Sequence, residues 1–162
     1  MISNWKRTAV MGAIGGAIAT ATVLATPSSG VTGIVLVRAA FAAMDAKAET
    51  DALEIELRTN GPAEVVVNHN KMTVGGTSGW HTHPGPTLVS VKTGALTLYN
   101  ADDPSCTPTV YPAGTGFVDP GGGHIHIARN EGAVDAEWYT TYILAPGQGT
   151  RLDAPNPGNC AF

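Results

Sequence analysis

Between residues 53 and 144, glycine and proline interrupt the chain so often that no long helix has room to form. What survives between the breaks is a series of short segments with period-two patterning. Leu53, Ile55 and Leu57 alternate with Glu54, Glu56 and Arg58, which predicts a half-buried strand. Gly61-Pro62 closes it, and residues 63–74, with the run Val65-Val66-Val67, predict a second strand that Gly75-Gly76 ends. Further strands are expected over 88–92, 95–99, 109–111, 116–118, 125–129 and 136–144. The breaks between them are Thr93-Gly94, Asp102-Asp103-Pro104, Pro112-Ala113-Gly114, Gly121-Gly122-Gly123 and Glu131-Gly132. With Gly 20 and Pro 11 in 162 residues, the punctuation predicts an all-β sandwich or barrel. Residues 38–48 are Ala-rich and compatible with either a helix or a strand and loop. No internal repeat or linker is visible, so residues 26–162 read as one domain.

The segment before it reads as an export signal covering residues 1–25. Lys6 and Arg7 precede an uncharged run from Thr8 to Leu24, and Val23-Leu24-Ala25 gives a small-x-small cleavage pattern, with Ala19-Thr20-Ala21 as a second candidate. A retained membrane anchor is the alternative, because the run is nearly long enough to span; its Gly and Thr content and the following Pro27 favour cleavage. The expected location is secreted or cell envelope, with membrane association only if the segment is kept. The cysteines Cys106 and Cys160 both lie beyond this segment in turn-forming sequence. In an oxidising compartment a bridge between them is the natural reading, worth roughly 4 kcal/mol in the chain-entropy model. A net charge of -4 with only 14% charged residues excludes a phosphate-tracking surface, so nucleic acid is not an expected partner.

Four of the five histidines fall in two pairs, His81-Thr82-His83 and His124-Ile125-His126. Residues i and i+2 of a strand share a face, so each pair can aim two imidazoles into one space. Imidazole suits Fe, Mn, Zn, Ni and Cu alike. His69, alone between Asn68 and Asn70, reads as a surface or packing histidine.

Residues 75–94 resemble the first motif of the cupins: a glycine, five residues, His-x-His, three or four residues, Glu, six residues and a glycine. Gly75, His81, His83 and Gly94 occupy their places, whereas Thr87 stands where the family usually has Glu. Residues 114–130 resemble the second motif: a glycine, five residues, Pro-x-Gly, two residues, His, three residues and Asn. Gly114, Pro120, Gly122, His126 and Asn130 match, with one extra residue in the triple glycine. The resemblance covers about residues 53–144, most of the mature domain, and implies a single-domain jelly-roll β-barrel.

It also implies a divalent transition metal on His81, His83 and His126, of identity left open among Fe, Mn, Zn, Ni and Cu. His124 is either a further ligand in place of the missing carboxylate or a group behind the ligands. Thr87 reads as a pocket or supporting hydroxyl. Glu137 reads as solvent-facing, and Trp80, Trp138, Tyr139 and Tyr142 as barrel core or rim. The partner expected is a small-molecule ligand or substrate, and the family's habit of pairing leaves a homodimer open. No nucleophile–base pair, serine elbow or phosphate loop is present, so any chemistry would run through the metal. Two functions follow: a metal-dependent oxidoreductase of dioxygenase type, or a non-catalytic module holding a metal or small ligand. Ligand histidines bind as neutral imidazoles, so metal occupancy is expected to fall below the ordinary histidine range near ~6.5.

Overall fold

The computed structural model describes residues 25–162, so the expected export signal lies outside the described residues but for Ala25. Twelve strands and no helix occur among them: β1 (Ser29–Phe41), β2 (Asp45–Thr50), β3 (Leu53–Arg58), β4 (Ala63–Thr77), β5 (His81–Thr82), β6 (Thr87–Thr93), β7 (Ala95–Asn100), β8 (Thr109–Pro112), β9 (Gly116–Asp119), β10 (His126–Arg129), β11 (Ala136–Leu144) and β12 (Leu152–Asp153). Ten of them form one antiparallel sheet ordered β12-β5-β10-β4-β11-β6-β9, with β1 on β4 and with β7 joining β10 to β8. The sheet curls into a nearly closed jelly-roll barrel, the all-β architecture that the Gly/Pro punctuation predicts.

Alternation decides which side chains fill it. On β6, Thr87, Val89 and Val91 are buried while Leu88, Ser90 and Lys92 are exposed. On β11 the even positions from Ala136 to Leu144 are all buried. Met72, Val89, Val91, Leu96, Leu98 and Trp138 make the main core cluster, and Trp80, Tyr99, Ile127, Ala154 and Cys160 a second one. Each large apolar side chain so buried contributes roughly 1.5–3 kcal/mol. Asn130, the closing residue of the second motif, is fully buried and structural. Its Nδ2 donates to the carbonyls of Met72 (3.0 Å) and Val134 (2.9 Å), and its Oδ1 accepts from the Gly132 N–H (3.1 Å). Its backbone bonds tie it to Gly75 and Gly76, so the first motif's opening meets the second motif's end.

Three expectations change. Gly75-Gly76 does not end β4, which continues to Thr77 because Ser29 and Arg129 both pair there. The Ala-rich stretch 38–48 is extended: it completes β1 and enters β2. The segment 53–58 is a strand but is not half-buried. It pairs only with β2, and its alternation sets Leu57, Ile55 and Leu53 beside Ala46, Ala48 and Thr50 on one face of a projecting hairpin, with Leu53 and Ile55 exposed. β1 is an edge strand exposing the run Ile34-Val35-Leu36-Val37.

Candidate metal centre

The barrel brings the two histidine pairs together through one register match. β10 pairs antiparallel with β5 so that His126 lies opposite His81, and His83 follows β5 by one residue. The ring centroids of His81, His83 and His126 are 4.4–5.3 Å apart, and one ligand nitrogen from each lies within 4.8 Å of the others. All three rings are buried.

Two of the rings are oriented by hydrogen bonds at Nδ1. His81 Nδ1 lies 2.9 Å from the Gly79 carbonyl, and His83 Nδ1 lies 2.6 Å from the Thr150 carbonyl. His126 Nδ1 faces Asp119 Oδ1 at 3.4 Å, beyond a good hydrogen bond. A ring donating from Nδ1 keeps its Nε2 lone pair free, the arrangement that second partners impose on metal-binding histidines. Burial, then the charges of His126, Arg151 and His83, pushes His81 from 6.5 down to about 2. Burial also lowers His83, and it lowers His126 against the opposing pull of Asp119. Burial thus favours the neutral, cation-binding form of all three rings. The site suits a divalent first-row ion: converging nitrogen donors, with His81 and His83 held from behind by backbone carbonyls and His126 facing the Asp119 carboxylate.

His124 stands on the other side of His126, with ring centroids 5.8 Å apart, and is part-exposed. Its Nδ1 lies 2.6 Å from Asp119 Oδ1, while Asp119 Oδ2 accepts the Gly121 N–H at 3.1 Å. Asp119, His124 and His126 form a second cluster that could hold a cation. His124 thus shares His126 with the trio but not the trio's centre.

Asp119 is the residue that sequence reasoning missed. It is buried at the end of β9, directly opposite Thr87 of β6. Cross-strand partners share a face, so the carboxylate absent at position 87 is present one strand over. Thr87 itself is fully buried, with its hydroxyl 3.5 Å from the Gly85 carbonyl. The parity of β9 carried the signal, since Phe117 and Asp119 share a side while Val118 is exposed. The C-terminal segment was missed too: β12 pairs with β5, placing Thr150 and Arg151 at the trio.

The rest of the polar set behaves as its parity dictates. His69 faces outward, stacked on Tyr139 (4.9 Å) and 3.2 Å from Glu137. Glu137 also meets Lys71 and Lys92, and these partners hold its carboxyl down to about 2. Trp80 is core, while Trp138 and Tyr142 line a cavity of about 210 Å³ together with the histidine trio. Cys106 and Cys160 are bridged, with Cα atoms 5.3 Å apart, which fits an oxidising, extracytoplasmic environment.

No protein-family model matches the chain, and no curated protein matches it. Among solved structures it is similar to the polyketide cyclase RemF from Streptomyces resistomycificus, at 12% identity over 86% of this chain and 88% of that one, with a TM-score of 0.50. It is also similar to a cupin domain from Bordetella pertussis Tohama I (19% identity, 75% of this chain and 99% of that one, TM-score 0.48). A third likeness is to oxalate oxidase in complex with the substrate analogue glycolate (26% identity, 52% of this chain and 44% of that one, TM-score 0.45). Fold and site together define a jelly-roll β-barrel carrying a buried three-histidine cluster.

Proposed function

We propose that His81, His83 and His126 hold one divalent first-row metal in an exported protein, and that the cavity offers that metal to a small molecule. The observation that carries this reading is the buried trio with its Nδ1 atoms turned to Gly79, Thr150 and Asp119. Bound there, a metal with three protein ligands supplies open coordination positions and Lewis acidity. Asp119 positions His126 and His124 rather than binding in the trio's centre. Cleavage after Ala25 leaves Thr26 in place, where its hydroxyl accepts the Trp80 N–H at 2.7 Å.

Open positions beside a cavity favour a metal-dependent oxidoreductase. Thr87 favours the second reading, a non-catalytic metal or ligand carrier, because it removes the family's usual fourth donor. Metal analysis of protein purified from the exported fraction tests the site, with about one ion per chain expected. Loading with iron, manganese, zinc, nickel or copper at neutral pH and finding none retained would refute it. Oxygen uptake by the loaded protein over a panel of small organic acids separates the enzyme from the carrier.

A further inference from the structure

The cavity is charged by one sign only. Among its described lining residues there is no carboxylate, and besides the histidines its sole ionisable cation is Arg151. That guanidinium is divided. Its Nε donates to Asp153 Oδ1 at 2.6 Å on the outer side, while its Nη2 is buried with no partner among the described residues. A buried guanidinium donor without an acceptor is costly, and the planar fork matches the two oxygens of a carboxylate. A second unmet group lines the same space. Asn68, on the inward face of β4, buries its Oδ1 without a donor. The cavity is small, about 210 Å³.

We infer that the cavity takes a small carboxylate that also carries a hydroxyl or amine, with the carboxylate received by Arg151 and the donor by Asn68. This deepens the metal reading and rests on it only for a third attachment. The metal and the Arg151 charge both favour an anion, and Trp138, Tyr142 and Val89 supply an apolar wall for a short carbon chain.

The test is calorimetric titration of the oxidised, zinc-loaded protein, and in parallel of the EDTA-treated protein, with lactate, lactamide, propionate and inorganic phosphate. Lactate should bind at least about tenfold more tightly than the other three, the scale of one charge-assisted hydrogen bond. Arg151→Gln should weaken lactate by at least about tenfold at unchanged zinc content. Asn68→Leu should abolish the preference for lactate over propionate. In the EDTA-treated protein the preference for lactate over lactamide should persist and disappear in Arg151→Gln. The EDTA arm therefore decides the role of Arg151 even if zinc is not retained and the metal reading fails. Lactamide or phosphate binding as tightly as lactate would overturn the inference, as would lactate affinity unchanged in a folded Arg151→Gln protein. Should that variant not fold, the ligand series on the native protein still decides.

Discussion

Breaking the Cys106–Cys160 bridge should weaken the fold and the metal centre together. The bridge spans a sequence separation of 54, for which the loop-entropy relation gives roughly 4 kcal/mol at 25 °C. Its position adds a local consequence. Cys160 packs with Trp80, Tyr99, Ile127 and Ala154, and the segment it anchors carries β12 and the Thr150 carbonyl that orients His83. Other contacts hold that segment: Asn159 Nδ2 donates to the Asn100 and Asp103 carbonyls, and Phe162 lies under Arg129 at 4.1 Å. These keep the segment docked but less tightly than the bridge does, so the loss appears mainly as lower global stability and in smaller part as looser placement of Thr150. With a urea slope of about 2 kcal/mol/M, the midpoint should fall by about 2 M in the Cys106→Ser, Cys160→Ser double variant. Zinc affinity, read by competition with a chromophoric chelator, should fall as well, because the acceptor for His83 is less firmly held. A midpoint shift below about 0.5 M with an unchanged slope would refute the argument.

Further outcomes follow from the same geometry. His81→Ala, His83→Ala and His126→Ala should each remove most bound metal, while His69→Ala, on the outer face, should not; His124→Ala should cost less than His126→Ala, read by metal content after gel filtration. Asp119→Asn should weaken metal binding by roughly 10–100-fold, because His126 loses its charged partner. The EDTA-treated protein should lose stability in acid. His81 is protonated near 6.5 when unfolded but only near about 2 when folded, so its contribution is complete above 6.5 and drains away as pH falls. At pH 5 that amounts to roughly 2 kcal/mol from His81 alone, visible as a lower urea midpoint than at pH 7 and reduced in His81→Ala. Gly121→Ala should cost about 3 kcal/mol or more, since Gly121 has φ +66° and a Cβ there runs into the Gly85 carbonyl and sits 2.9 Å from that of His83; an unchanged melting temperature would contradict this.

Much of the barrel was legible because its signals are local. Val89 and Val91, or Trp138, Thr140 and Tyr142, declare their inner face by parity alone, and the breaks at Gly94 and Gly114 fall between successive strands, β6 and β7 and then β8 and β9. The hairpin β2–β3 shows the limit. Leu53, Ile55 and Leu57 alternate as a half-buried strand does, yet alternation states only that one face is apolar. Whether another layer covers that face depends on tertiary packing, which no window of six residues encodes.

The metal centre divides along the same line. His81, His83 and His126 were readable because two short spaced motifs carry them. The groups that make those imidazoles useful were not, because each reaches the site across a strand boundary. Asp119 arrives by register against Thr87, Thr150 by the return of the chain after β11, and Arg151 by the pairing of β12 with β5. The motif that residues 75–94 resemble has a carboxylate where this chain has Thr87. Here the nearest carboxylate stands behind His126 instead, and the cavity itself keeps only positive or neutral groups. With Asp119 behind His126, the cavity side of the histidine trio is free of a competing anion. On the reading proposed above, the uncharged Thr87 and the placement of Arg151 act in one sense: both leave the cavity side of the trio to a ligand's carboxylate rather than the protein's own.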